Sequence, residues 1–260
     1  MSFDWPFFWH YLLRPSAAYL NGLMLTLVLS VVAQSLGTVI GLFAALGRMS
    51  HIAPLQYLVR GYVWIMRGTP LLVQIVFIYT GLAAGGIFRF EDISLGILTI
   101  PGNVQAGLVA LSLNEAAYMA EIIRAGISSV DSGQTEAAKS LGMTYGLVMR
   151  RIVLPQATRF VIPPLGNEFN AMLKNTTLVS VIGVPELLLT TETLTSATFR
   201  VFELYSVVAL YYLTLTTLWG VVQGRIEARF GEPTAQTPTE ASFGERLFGR
   251  TLARMARGKL

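Results

Sequence analysis

The 260-residue chain is 53% hydrophobic and only 13% charged, with mean hydropathy +0.57, where a soluble domain carries about 25% charged residues. It has no cysteine and two histidines far apart, His10 and His51, which excludes a disulfide framework and a thiolate or paired-histidine metal site. The net charge of +4 in so apolar a chain is read through where each charge lies relative to the membrane, and not as affinity for nucleic acid.

Residues 1–20 are aromatic and interrupted by Pro6 and Pro15. They lack a basic start and a small-residue cleavage site, so a segment lying at the membrane interface is predicted, with Trp5 and Trp9 at headgroup level. The first span is 23–46, 24 residues without a charge, long enough for a core of about 30 Å. Gly37 and Gly41 within it form a small-xxx-small pair suited to close helix packing. Arg48, Arg60 and Arg67 follow with no acid between them, and residues 55–66 read as a short helix leading toward the membrane. The second span is 68–88. Pro70 is placed to begin it, and Gln74 enters the bilayer either as a ligand contact or as an interhelical hydrogen bond.

Residues 89–102 read as an external loop, and the third span is 104–124. Glu115 and Glu121 lie inside that span; buried acids in membrane cost about 2.5–3.5 kcal/mol and face protein or a wet path. Glu121 and Arg124, spaced i, i+3, can pair on one helix face. Glu115 either lines a path or bonds across an interface.

The loop 128–155 is short, charged and helix-forming. Residues 134–141 favour helix, and Gly142 suits the left-handed position that ends it. Thr144 can cap a second helix with Met143 and Val148 as a hydrophobic staple. Arg150 and Arg151 fall in its last turn, and Pro155 stops it or starts the next. Such short helices need a surface to pack on. Ala137, Ala138 and Gly142 are small enough to let a partner approach. The fourth span, 156–173, is predicted to break at Pro163, Pro164 and Gly166. Asn167, Glu168 and Asn170 cluster just after that break, as convergent polar groups do at transporter substrate sites. Residues 173–187 fit a partial helix or gate, 190–203 an external polar segment, and 204–224 the fifth span. The domain reading is 1–20 interfacial, 21–225 transmembrane and 226–260 a basic cytoplasmic tail. That tail is either an amphipathic helix on anionic membrane lipid or a solvated end.

The spacing Glu136-Ala137-Ala138, three residues, Gly142, nine residues, Ile152, one residue, Leu154-Pro155 resembles the EAA loop of ATP-binding cassette importer permeases. The segments 67–74 (RGTPLLVQ), 118–127 (YMAEIIRAGI) and 173–187 (LKNTTLVSVIGVPEL) are similar to polar amino-acid permeases of that family. Asn175 and Thr177 stand in the last segment where the family usually has Asp and Ser. The resemblance implies an all-α integral membrane fold of five transmembrane helices with a cytoplasmic coupling helix, the type I importer fold that is MetI-like. It implies ATPase coupling through Glu136, Ala137, Ala138, Gly142 and Pro155. It also implies a dimer of ATPase subunits carrying Mg-ATP, a second permease, an extracytoplasmic solute-binding protein and a polar amino-acid substrate in a bacterial inner membrane. The candidate substrate path is Gln74, Asn167, Glu168 and Asn170, with Thr176 and Thr177 behind them. A carboxylate such as Glu168 pairs with an ammonium or guanidinium group, or else bonds across a permease dimer.

With the EAA loop inside, the segments 47–67, 124–159 and 225–260 hold fifteen of the nineteen Lys and Arg residues. The positive-inside rule then gives N-terminus out and C-terminus in. The chain has no G-x-x-x-x-G-K-[ST] phosphate loop and no evident catalytic set, so it is not read as an enzyme, and no cofactor is assigned to it. A secondary carrier or channel using Glu115, Glu121 and Glu168 as an ion path is the alternative. The absence of an internal repeat and the EAA spacing argue against that alternative. A membrane scaffold without transport is a third reading, which leaves the polar fourth span unexplained.

Overall fold

In the computed structural model, which describes residues 3–96 and 98–230, the run at 23–46 is the middle of a 33-residue helix, α2 (Ala17–Met49). At 1.5 Å per residue α2 is about 50 Å long and outreaches the hydrocarbon core. Ahead of it, α1 (Trp5–Leu13) is capped by Asp4, whose carboxylate accepts from the Phe7 N–H at 3.0 Å. Phe8 of α1 is buried while Trp5 and Trp9 stay exposed.

α3 (Ala53–Gly68) ends at Thr69, which the following proline forces into extended backbone (φ −117°, ψ 148°). The chain then re-enters helix as α4 (Leu71–Val76), a π turn (Phe77–Gly81) and α5 (Leu82–Ala84). The rod Leu71–Ala84 lies at 109° to α3. The second span predicted over 68–88 is thus helical over Leu71–Ala84, with a π turn inside it and a sharp bend joining it to α3. The loop after α5 carries a small ribbon, β1 (Ile93–Leu95) antiparallel to β2 (Leu98–Ile100), which adds two strands to the helices of the described residues.

α6 (Gly102–Ser128) packs along α2 through Gly37 and Gly41. A Cβ at Gly41 would lie 2.6 Å from Met119 Cβ and 2.8 Å from the Ala116 carbonyl oxygen; one at Gly37 would lie 2.5 Å from Glu115 Cγ. Only glycine permits that approach. Around this contact Leu29, Ala33, Ala106, Ala110 and Leu111 build the main core with Ile75 and Val179.

α7 (Ser132–Ser140) is followed by Gly142 at φ +80°. From Tyr145 the backbone is helical without interruption to Ile182: α8 (Tyr145–Val148), a π turn (Met149–Val153), α9 (Leu154–Asn175) and a 3-10 segment (Thr176–Ile182). Three expectations are corrected here. Pro155 neither stops nor starts a helix; the π turn before it widens the coil, which absorbs its missing N–H and bulky ring. Arg150 and Arg151 are therefore mid-helix and not at a helix end. Pro163 and Pro164 lie inside α9 without breaking it. The carbonyls they deprive of a donor belong to Arg159 and Phe160, both exposed. The break falls later, at Gly183–Pro185, where the axis turns by 53° into α10 (Leu187–Thr198).

The polar segment read over 190–203 is helical for much of its length, as α10. Glu186 caps it, its carboxylate accepting from the Leu188 and Leu189 N–H groups at 2.9 and 2.8 Å and from the Tyr212 hydroxyl at 3.0 Å. Leu187 packs beside Tyr19, Val207 and Val208. Phe199, at φ +57°, ends α10, and α11 (Val201–Phe230) completes the described chain. The basic tail proper lies outside the described residues. Among the described residues three helices, α2, α6 and α11, are long and apolar enough to cross a membrane, and the two bent pairs bring the number to five.

Candidate functional site

The EAA segment forms a tip. Ala138 is buried against Ala45, Met119, Ile127 and Val148, with Met143 packed beside them. Met143 and Val148 thus flank the Thr144 cap position as a staple does, although the Thr144 side chain makes no cap bond. Ala138 serves the chain's own core and is unavailable to a partner. Glu136, Ala137, Gly142 and Pro155 are exposed. Leu141 and Tyr145, 84% and 70% exposed, give the turn an apolar crown. Two large apolar side chains on either side of a left-handed glycine are costly to leave in water, and that is what a docking element presents. Because α8 continues through the π turn into α9, one helical rod joins this tip to the residues 167–177.

The predicted path residues divide into two groups on that rod. Asn167, Asn170 and Lys174 follow one helix face, with Glu168 a step around it. The Asn167 Oδ1 accepts from Gln223 Nε2 of α11 at 3.0 Å. Asn170 Oδ1 is buried with no hydrogen-bond partner. Glu168 is half-buried, and Arg67 is the cation whose field reaches it. Thr177 is half-buried, its hydroxyl donating to the Lys174 carbonyl at 2.7 Å. Thr176 is fully buried and donates to the Leu173 carbonyl at 2.9 Å, so it packs the core and does not face a path.

Gln74 is likewise taken up by the protein. Its Nε2 donates to the Met66 carbonyl (2.8 Å), the Thr69 carbonyl (3.1 Å) and Thr69 Oγ1 (2.9 Å), and its Oε1 accepts from Asn114 Nδ2 at 2.9 Å. Asn114 also donates to the Met66 carbonyl at 3.1 Å. These bonds satisfy the carbonyls that the Gly68–Pro70 bend orphans. Of the two readings of Gln74, the hydrogen-bonding one is what the geometry contains. Asn114 was not legible as its partner, since 40 residues separate them.

The remaining intramembrane acids are paired by α2 and α3. Glu115, 3% exposed, accepts from Gln34 Nε2 at 2.7 Å; Gln34 carries no signal beyond being an amide in an apolar run. Glu121 takes Arg124 at 3.1 and 2.9 Å, as the i, i+3 spacing predicts, and is also bridged by Arg48, with Arg67 at 3.9 Å.

Set beside known proteins, residues 37–232 match the family described as "Binding-protein-dependent transport system inner membrane component". The probable glutamine ABC transporter permease protein GlnM of Bacillus subtilis is 40% identical over 81% of this chain and 92% of its own length. The arginine transport system permease protein ArgU of Corynebacterium glutamicum is 39% identical over 82% of this chain and 68% of its own. The crystal structure of an amino acid ABC transporter with histidines is similar at TM-score 0.77 and 41% identity, covering 88% of this chain and 100% of that one. A match over three quarters of the chain, joined to the bent-pair architecture and the EAA tip, places this protein in the family of binding-protein-dependent transport system inner membrane components.

Proposed function

We propose that this chain lines the translocation path of an ATP-driven importer for polar amino acids or their derivatives, and takes its energy from a separate ATPase dimer. The permease family supports a membrane subunit without ATPase chemistry of its own. The names of the relatives, for glutamine and arginine, support the substrate class. One observation carries the reading: the exposed Leu141–Gly142–Tyr145 tip is continuous, through α8 and α9, with Asn167, Glu168 and Asn170. A rod with a docking surface at one end and polar groups along its length can convert closure of a motor into exposure of a path.

In this assignment Glu136, Ala137, Gly142 and Pro155 form the coupling surface, with Ala138 anchoring it from beneath. Asn167, Glu168, Asn170 and Thr177 face the solute. Residues 21–225 form the permease domain, flanked by the interfacial segment 1–20 and the tail 226–260. The chain sits in a bacterial inner membrane, N-terminus out and C-terminus in, paired with a second permease and served by an external solute-binding protein. Mg-ATP belongs to the ATPase subunits.

The test is uptake into proteoliposomes holding the permease, its ATPase and its binding protein. Labelled arginine, histidine or glutamine accumulates only with ATP and the ATPase. Uptake driven by an ion gradient in vesicles lacking the ATPase would establish the carrier instead. Glu168→Gln lowers transport of cationic solutes about tenfold relative to neutral ones, the loss of one charge-assisted contact of about 1.5–3 kcal/mol offset in part by the remaining amide. Unchanged selectivity would remove Glu168 from the path.

A further inference from the structure

The pairing of buried charges leaves one region out of balance. At the end of α2 that Ala45 shares with the EAA tip, Arg48, Arg60, Arg67 and Arg124 gather near one carboxylate, Glu121. Among the described residues no other acid lies within ion-pair distance of these four, and Glu168 is the further carboxylate that feels the field of Arg67, so four cations share two acids. Arg60 reaches only Gln56 Oε1, at 3.4 Å. Three of the four arginines, Arg48, Arg60 and Arg67, line a cavity of about 430 Å³ together with Trp64, Tyr118 and Glu121. Arg67 is held in place over the Tyr118 ring at 5.2 Å.

The helix that supplies two of the arginines has three edges. Val59 and Val63 are buried against Ala117 and Ala120. Arg60 and Arg67 turn toward the cavity. Tyr57, Leu58, Trp64 and Ile65 are 53–77% exposed. α3 also lies across the axis of the following rod, at 109°. A helix across a span's axis, with aromatic and aliphatic residues on its open face and cations at their edge, is built for the boundary between acyl chains and headgroups.

We propose that this basin binds the phosphodiester of an anionic phospholipid of the inner leaflet. The phosphate sits among Arg48, Arg60 and Arg67, and the acyl chains run over Leu58, Trp64 and Ile65. Arginine's fork matches phosphate oxygens in pairs, and Glu121 fixes the rim while opposing the anion. The exposed apolar face favours a lipid over a free phosphate ion, which would leave Trp64 and Ile65 in water.

The test is native mass spectrometry and thermal unfolding of the full-length permease titrated with phosphatidylglycerol or phosphatidylcholine of matched chains, with and without millimolar inorganic phosphate. The wild type retains phosphatidylglycerol about tenfold better than phosphatidylcholine, and the double variant Arg48→Gln, Arg60→Gln falls to about twofold or less, as loss of two surface-facing cations requires. Arg225→Gln with Arg229→Gln removes the same charge from the end of α11 and leaves the preference unchanged. Glu121→Gln raises retention of the anionic lipid, and phosphatidylglycerol but not phosphatidylcholine restores its thermal stability. Equal retention of the two lipids by wild type, or a preference undiminished in the folded double variant, overturns the proposal. Displacement of the lipid by inorganic phosphate overturns the lipid assignment in favour of a soluble anion. If the double variant does not fold, Glu121→Gln decides, and a fall in its retention of phosphatidylglycerol overturns the site.

Discussion

Asn170 and Gln74 were alike as sequence, amides inside apolar runs, and the fold treats them oppositely. Asn170 Oδ1 is buried and unpartnered, so the resting chain carries a desolvation cost without a compensating bond. Asn170→Leu is therefore neutral or stabilising by about 1 kcal/mol in thermal unfolding, while uptake in proteoliposomes drops. Gln74 is the reverse case. Gln74→Leu leaves the Thr69 carbonyl without its side-chain donor and one Asn114 N–H without an acceptor, each at a cost of about 1–3 kcal/mol, while the Met66 carbonyl keeps Asn114. The unfolding temperature of that variant falls, and the affinity of the surviving folded fraction for solute does not change. A raised dissociation constant without loss of stability would return Gln74 to the path.

At the scale of elements, two glycines are required for different reasons, one at the α2–α6 contact and one at the end of α7. Gly41 faces Met119 Cβ and the Ala116 carbonyl across too little space for any side chain. Gly41→Leu forces the helices apart at a cost of about 1–3 kcal/mol or more, read as loss of expression and of unfolding temperature. Gly142 differs, since nothing lies within 4 Å of a Cβ built there. Its φ of +80° is the constraint, costing an L-residue about 1–2 kcal/mol. Gly142→Val consequently leaves the bundle folded but uncouples ATP hydrolysis from uptake in the reconstituted complex, and Gly142→Asn does so less. Both glycines were visible in the sequence. Their different reasons were not, because a close approach depends on a partner helix while a left-handed turn is local.

For the whole molecule, orientation is the quantity to measure. Single cysteines placed in the Ile93–Ile100 ribbon react with an impermeant maleimide from outside, and a cysteine at Tyr145 reacts only from inside; the opposite pattern would reverse the topology and remove the coupling role of the tip. An apolar character that allows up to five spans, the left-handed Gly142 and the Glu121–Arg124 pair were all legible, because each depends on composition or on neighbours within a helical turn. The break in the fourth span was misplaced from the double proline to Gly183–Pro185, and α10 was hidden in a polar stretch. A proline pair inside a helix costs only two ladder bonds, and a polar helix is stable when it is capped and another part of the chain covers it, as Glu186 and then Tyr19 and Val207 do. The sequence by itself determined a membrane permease with a coupling loop, since hydrophobicity and short motifs are properties of consecutive residues. Only the tertiary structure decided which amides are structural, which acids share which arginines, and where the rods bend, since burial and charge pairing are set by residues tens of positions apart brought to one place.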